Sequence, residues 1–402
     1  MNLEKVIENY GSPVYIYDLN IISKAYTRLK KALPKDSTIL YSVKCNNNPG
    51  VIRHLSKLGS HFEVANKEEF MLLIKNNVEP SKILFTSPAK TYNEVHYMIC
   101  HGLSLISCES IPEFEMLNHL CMSLNKEIGI FIRLNISSKN SHSSLKMGGS
   151  SSQFGIDLEV FLENIDRFKS GHITVKGIHS FFGSNITDLN EIVSNVEAIV
   201  EIGNKIEHMG ISLQMLDLGG GFPAPYASND NAFELTSLKE NLEKCFMKID
   251  NRESKKCFFE SGRYLTSESG VLLGSILYKK VSKGIPYLIS DVGIHCLNGF
   301  SGSRRTLPPK NDINFMNSSR GENCYRLVGP SCSPLDIVNS RVETSREIYS
   351  GDLFYINNVG AYGLSSSLIN FLSREVPKEI CFYNNQIVSI SQTIIEKSEI
   401  EF

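Results

Sequence analysis

The chain has 402 residues, 42% hydrophobic and 21% charged, which excludes a disordered protein and is too long for one ordinary core, so about two folded domains are expected. Its net charge of −2 lacks the basic surface of nucleic-acid-binding proteins, so no nucleic-acid partner is expected. The start, MNLEKVIENYGSPVYIYD, lacks a signal-type apolar core, and the ten cysteines follow no secreted spacing, so a cytoplasmic protein with reduced thiols is expected.

In chain order, an isolated strand PVYIYD (13–18) comes first. Eight β-rich runs follow: STILYSV (37–43), HFEVA (61–65), KILFT (82–86), LSLISC (103–108), IGIFIRLN (128–135), ITVKGIHSF (173–181), QMLDL (214–218) and KCFFE (256–260). Amphipathic stretches with apolar spacing of three and four separate them, the longest from about Leu189 to Met209. No apolar run approaches the ~18–20 residues needed to span a bilayer, so no membrane partner is expected.

Eight strand–helix units in succession predict a (β/α)₈ barrel, because parallel neighbours need crossover connections. A doubly wound sheet uses the same units and is the competing fold; the count of eight favours the barrel. The Ser- and Gly-rich stretch 136–153 reads as a mobile loop at the barrel rim. After about residue 270 the runs VLLGSILYKKV, PYLISDVG, CYRLVG, REIYSGDLFYINN and KEICFYNNQIVSIS predict a mostly antiparallel β domain. The expected division is a barrel over 20–268 and a β domain from 1–19 and 269–402, which the early strand joins.

Catalytic groups of such barrels stand at the C-terminal ends of the strands, and the unusual residues of this chain fall there repeatedly. Lys44 ends the first strand, Glu63 lies late in the second, Ser184 follows the sixth, and Gly219, Gly220 and Gly221 follow the seventh. Glu260 ends the eighth, with Arg263 just beyond.

Each feature has an ordinary reading beside a chemical one. Lys44 fits a surface lysine, or a buried amine whose pKa burial lowers for Schiff-base chemistry. The glycine triplet fits a flexible turn, or a backbone that approaches a phosphate. ESGRY fits an ion pair at the barrel rim; equally, Glu260 could keep a pyridine nitrogen protonated while Arg263 forks onto a phosphate. Cys332, in GPSCSPLD, fits an inert thiol or a proton donor in a polar loop, and Tyr362, in NNVGAYGLS, offers a phenol to phosphate. No metal site is read from the spacing.

The ordered set YSVKCNNN, FEVANKEE, FGSN, LGGGF, ESGRY, GPSCSPLD and GAYG resembles the fold-type III pyridoxal-phosphate decarboxylases, which include those of ornithine, arginine and diaminopimelate. The resemblance runs from about residue 12 to 385. It implies an alanine-racemase-like barrel with a β domain, pyridoxal 5'-phosphate as cofactor, and a homodimer with shared active sites. It further implies that Lys44 carries the cofactor as a Schiff base and that Glu260 faces the pyridine nitrogen. Ser184, Gly220, Gly221, Arg263 and Tyr362 correspond to the phosphate site, and Glu63, Arg133 and Gly262 to residues near the cofactor. Cys332 corresponds to a cysteine that the partner subunit supplies to protonate the substrate carbon.

Three departures stand out. Phe181 occupies the place of a histidine that stacks on the cofactor, and His179 lies two positions earlier, a candidate substrate residue. The usual EPGR is ESGR, which keeps both functional side chains. Ser333 follows Cys332 where an acidic residue usually holds the far end of ornithine or diaminopimelate, and Asp336 comes only later; both stand with His179 as candidate substrate residues.

KMGGSSSQFGID, ESGRYL, GPSCSPLDIV and GAYGLSSSLINFLS resemble the branch containing the butirosin-pathway glutamyl-carrier-protein decarboxylase and siderophore-pathway decarboxylases. That implies an amino-acid-type small molecule, larger than usual or tethered to a carrier protein. The alternative is a free amino acid such as diaminopimelate or ornithine. A racemase of the same fold typically has arginine in place of Glu260. An inactive regulatory homologue is opposed by Lys44, Cys332 and the glycine run.

Overall fold

A computed structural model describes residues 3–136, 145–146, 151–169, 172–297 and 311–398. Most of the loop expected over 136–153 lies outside them. Eight parallel strands close on themselves in sequence order: Thr38–Ser42, His61–Val64, Ile83–Thr86, Leu105–Cys108, Ile128–Asn135, Ile173–His179, Met215–Asp217 and Lys256–Ser261. The first pairs with the eighth (Leu40 beside Glu260) and the fourth with the fifth (Ile106 beside Ile130). The closed parallel sheet establishes the barrel over the doubly wound alternative.

These strands are near-continuous apolar runs because both faces are covered, outside by helices and inside by one another's side chains. Leu40, Leu84, Phe131 and Phe258 fill the barrel interior near the strand starts. Outside, helix Leu189–His208 begins at Asp188, whose carboxylate accepts the Asn190 N–H, and buries Ile192, Val196, Ile199 and Ile206 along one stripe.

The second sheet runs in the order Ile337–Thr344, Asn323–Val328, Ile285–Ser290, Gly270–Ser282, Val14–Asp18, Lys378–Tyr383, Gln386–Ser391. Most pairs are antiparallel; Val14–Asp18 lies parallel to Lys378–Tyr383, and Ile285–Ser290 parallel to Asn323–Val328. One buried core joins this sheet to the barrel.

The contact that matters for the site is at the barrel rim. The Tyr362 N–H donates to the Cys45 carbonyl (2.9 Å), and the Asn46 amide donates to the Gly360 carbonyl (2.8 Å). These bonds lay the loop around Tyr362 across the turn that carries Lys44. No helix among the described residues is long and apolar enough to cross a membrane.

Candidate active site

At the C-terminal ends of the strands lies a cavity of about 450 Å³, lined among others by Lys44, Glu63, Arg133, Phe181, Ser184, Gly221, Glu260, Gly262, Arg263 and Tyr362. Ten of the residues singled out in the sequence therefore converge on one space. Gly220 stands behind its neighbour, against Glu260. His179 is buried beside the cavity floor. Cys332, Ser333 and Asp336 are not among the lining residues of the same chain.

Lys44 does not end the strand but sits in a 3₁₀ turn, Val43–Cys45, just after it. This turn aims the side chain into the cavity, through which 47% of it is accessible; the protein walls, more than bulk water, set its electrostatics. Its Nζ donates to Glu63 Oε1 at 3.2 Å, and Ser42 Oγ donates to Glu63 Oε2 at 2.6 Å. Burial lowers the amine's pKa, as the sequence suggested, but Glu63, then Tyr362 and Glu260, outweigh it and raise the amine above its ordinary value. The expected depressed lysine is therefore corrected: Lys44 is an ammonium held by its carboxylate neighbour.

The floor is a cluster of buried charges. His179 Nε2 lies 3.1 Å from Glu260 Oε1, with neither side chain more than 5% accessible. That distance is an ion-pair contact, although the ring N–H is not aimed well enough for a directed hydrogen bond. Arg133 donates to Glu109 Oε1 at 2.8 Å, and its guanidinium lies 4.8 Å from the Phe154 ring centroid. For Glu260 the penalty of burial pushes the pKa up, yet His179, Lys44 and Arg133 together bring it below the ordinary carboxylate value.

The backbone around the glycine run leaves no room for side chains. A Cβ on Gly220 would stand 2.0 Å from the Glu260 carbonyl oxygen, and one on Gly262 2.7 Å from Cys45 Cβ. Gly221, at φ +90°, would meet the Gly183 carbonyl oxygen at 2.7 Å. Across the cavity the Arg263 guanidinium lies 4.8 Å from the Tyr362 ring centroid. Its Nε is buried with no hydrogen-bond partner among the described residues. Tyr362 itself has φ +55°, a conformation a bulky residue adopts only under constraint.

Residues 19–267 match a family described as pyridoxal-dependent decarboxylase, pyridoxal binding domain. This chain belongs to that family. The decarboxylase is 30% identical to the L-glutamyl-[BtrI acyl-carrier protein] decarboxylase of Niallia circulans, over 94% of this chain and 92% of that one. It is 26% identical to diaminopimelate decarboxylase of Aquifex aeolicus, over 91% and 86% of the two chains. Among solved structures, the diaminopimelate decarboxylase of Helicobacter pylori complexed with L-lysine superposes with a TM-score of 0.83 at 25% identity, covering 96% and 95%.

Pyridoxal phosphate is thus the cofactor of this decarboxylase, and the cavity suits it. A close-packed glycine backbone and an unsatisfied buried guanidinium nitrogen are what an incoming phosphate needs. The buried, ionised Glu260 is what a pyridine nitrogen needs. Lys44 supplies the amine.

The decarboxylase's remaining expected residues lie apart. Cys332 is exposed on the loop between strands Asn323–Val328 and Ile337–Thr344 of the second sheet. Ser333 Oγ accepts the Leu335 N–H at 3.2 Å. Asp336 is buried and accepts the N–H groups of Ile294 (2.8 Å) and Ser331 (2.7 Å). Its carboxylate braces the loop, a use the sequence did not reveal, and is not free in this chain to hold a substrate.

Sequence reasoning also passed over Glu109, Phe154, Asn185 and Asp217. Asp217 carried a signal: a carboxylate inside the apolar run QMLDL, directly before the glycines. Glu109 carried one too, as an acid directly after the apolar run LSLISC; Phe154 carried none, since only the fold brings it to Arg133.

Proposed function

We propose that this decarboxylase acts on an amino-acid group presented on a larger molecule, with a carrier-bound aminoacyl group as the foremost candidate. The observation that carries the reading is how the cavity's charge is spent. Its charged lining residues are Lys44, Glu63, Arg133, Glu260 and Arg263. Lys44 is paired with Glu63, Arg133 with Glu109 and Glu260 with His179, while Arg263 lies over Tyr362. Among the described residues of one chain the cavity retains no charged side chain for the far end of free diaminopimelate or ornithine, and the loop a partner would bring offers Ser333, not an acid, after Cys332. Burying that end unpaired would be costly. The relative that acts on a carrier-bound glutamyl group and Ser333 after Cys332 support the same reading.

Bound pyridoxal phosphate supplies an aldehyde for amines and an electron-poor ring that accepts the electron pair left as CO₂ departs. The chain's own residues do the rest. Lys44 is the amine that would hold the cofactor, and Glu63 the nearest acceptor for the proton Lys44 must lose. Glu260 would hold a proton on the ring nitrogen. Ser184, Gly220, Gly221, Gly262, Arg263 and Tyr362 would grip the phosphate, and Phe181 would cover one ring face. Cys332 of a partner subunit would return a proton to the substrate carbon.

A site shared in this way calls for a homodimer, which we place in the cytoplasm, each subunit read as a barrel over 20–268 and a β domain from 1–19 and 269–402. Mixing K44A with C332A subunits should then restore part of the activity that each variant lacks. Mixtures that stay inactive sink the shared site.

CO₂ release from free amino acids, measured beside the same groups loaded on a carrier protein, tests the substrate. Release from loaded substrates alone is the expected result. Rapid release from free diaminopimelate or ornithine would overturn the reading.

A further inference from the structure

Behind Glu260 the decarboxylase buries two more ionisable groups that the roles above leave unused. Asp217 and His179 both lie within 1% of full burial. One polar atom each of His179, Asp217 and Glu260 lie within 4.8 Å of one another. The His179 Nδ1 edge meets Ser107 Oγ at 3.0 Å, and the Nε2 edge meets Glu260. Asp217 Oδ1 accepts the Gly219 N–H at 3.1 Å, while Oδ2 is buried without a partner among the described residues.

Two carboxylates buried together are strongly unfavourable unless a cation or shared proton sits with them. His179 is the group placed to be that cation. The other charges felt here are Arg133, which opposes protonation of the imidazole, Lys44, which favours the anion of Glu260, and Glu63, which disfavours that of Asp217. We infer that Asp217, His179 and Glu260 form a buried relay in which His179 is a positioning residue: it holds Glu260 ionised and aimed at the cavity, and Asp217 holds the imidazole protonated. This rests on the assignment of Glu260 to the cofactor's ring nitrogen. Charge balance supports it, because an imidazolium with two carboxylates leaves one negative charge, the complement of one protonated pyridine ring. Burial alone would push the imidazole toward neutrality, yet Asp217 and Glu260 raise it above its ordinary value. In the cofactor-free protein that excess negative charge is relieved on Asp217, which burial and Glu260 push well above the usual carboxylate range.

The test uses the full chain with pyridoxal phosphate bound, the state in which both carboxylates are called on, labelled with ¹⁵N-histidine, the His179 signal being the one lost in H179Q or, if that variant does not fold, the one displaced in D217N. An imidazolium-type signal that outlasts the surface histidines as pH rises, and is lost earlier in D217N, is the expected result. A neutral His179 at pH 7 overturns the relay. Pyridoxal phosphate should bind H179Q about tenfold more weakly, the scale of one coupled contact, with a change in the bound cofactor's visible band that mere loosening would not produce. Unchanged affinity and spectrum also overturn it, as does a stoichiometric metal ion that H179Q loses. E260Q separates the two levels. If it leaves cofactor affinity and spectrum intact, the site assignment itself fails; if it alters them while H179Q does not, only the relay fails.

Discussion

The two ends of the barrel make an instructive contrast. The end where the strands begin holds the larger cavity, about 850 Å³, lined among others by Lys35, Asp36, Lys82, Arg252, Glu253 and Lys256. The end where the strands finish holds about 450 Å³. Leu40, Leu84, Phe131 and Phe258 lie within the barrel near the larger opening and help close it off. Volume thus points to the wrong end. At the larger cavity Lys82 pairs with Glu79, with 38% and 68% of their side chains accessible, and such pairs cost little in water; Lys255, the buried cation of that lining, is neutralised by Glu207 at 2.9 Å. At the smaller one Glu260, His179, Asp217 and Arg133 are buried, where charge is costly to keep and therefore informative.

The contrast can be broken or sharpened. The largest effect belongs to K44A: turnover should fall roughly 10⁴-fold, the upper range for losing a group that moves protons. Borohydride should no longer fix cofactor to the chain, and covalent labelling that persists would show that another lysine serves. A buried carboxyl away from both cavities should act as a cost. Glu379, which accepts from Tyr17 Oη at 2.8 Å, is pushed up to about 7 by burial. A carboxyl raised above its unfolded value of 4.5 adds stability below that pH and loses it as pH rises through about 7. Between pH 5 and 8 the protein should therefore lose on the order of 1–3 kcal/mol relative to E379Q, read as denaturant midpoints. Parallel pH profiles would refute this.

G221A should come next. Its Cβ would meet the Gly183 carbonyl oxygen at 2.7 Å, on a backbone at φ +90°, for about 1–2 kcal/mol of stability. Cofactor affinity should fall with it, and a variant that binds cofactor normally would remove the glycine run from the phosphate site. The smallest effect is K82A at the opposite end, expected to change stability by no more than about 0.5 kcal/mol and turnover not at all. A measurable loss of activity there would mean that the larger cavity works after all.

Much of this was legible in the sequence because parallel barrel strands are buried on both faces. The eight runs from STILYSV to KCFFE stood out as apolar; seven of the observed strands fall within them, and the eighth runs one residue past KCFFE to Ser261. Residues at their ends were readable for the same reason: an ionisable group closing an apolar run is conspicuous. The state of Lys44 was not readable, because its pKa depends on Glu63, nineteen positions away and brought to 3.2 Å by the pairing of the first two strands. Asp336 was misread because a carboxylate near a cysteine in sequence looks available, and only the folded loop shows both its oxygens engaged by backbone N–H groups. Arg133 looked like a cofactor neighbour; its partner Glu109 follows the fourth strand, and nothing local joins the two.

The second sheet has a consequence for how the enzyme is made. Val14–Asp18, which leaves the ribosome ahead of the barrel, is hydrogen-bonded on one side to Gly270–Ser282 and on the other to Lys378–Tyr383. Neither neighbour exists until the last barrel strand has been synthesised. The whole barrel is therefore translated while this strand waits with both edges open, a template for mispairing with another nascent chain. Its second partner arrives only with Lys378–Tyr383. A truncation there would leave the barrel's own strands complete, yet the early strand bare along one edge.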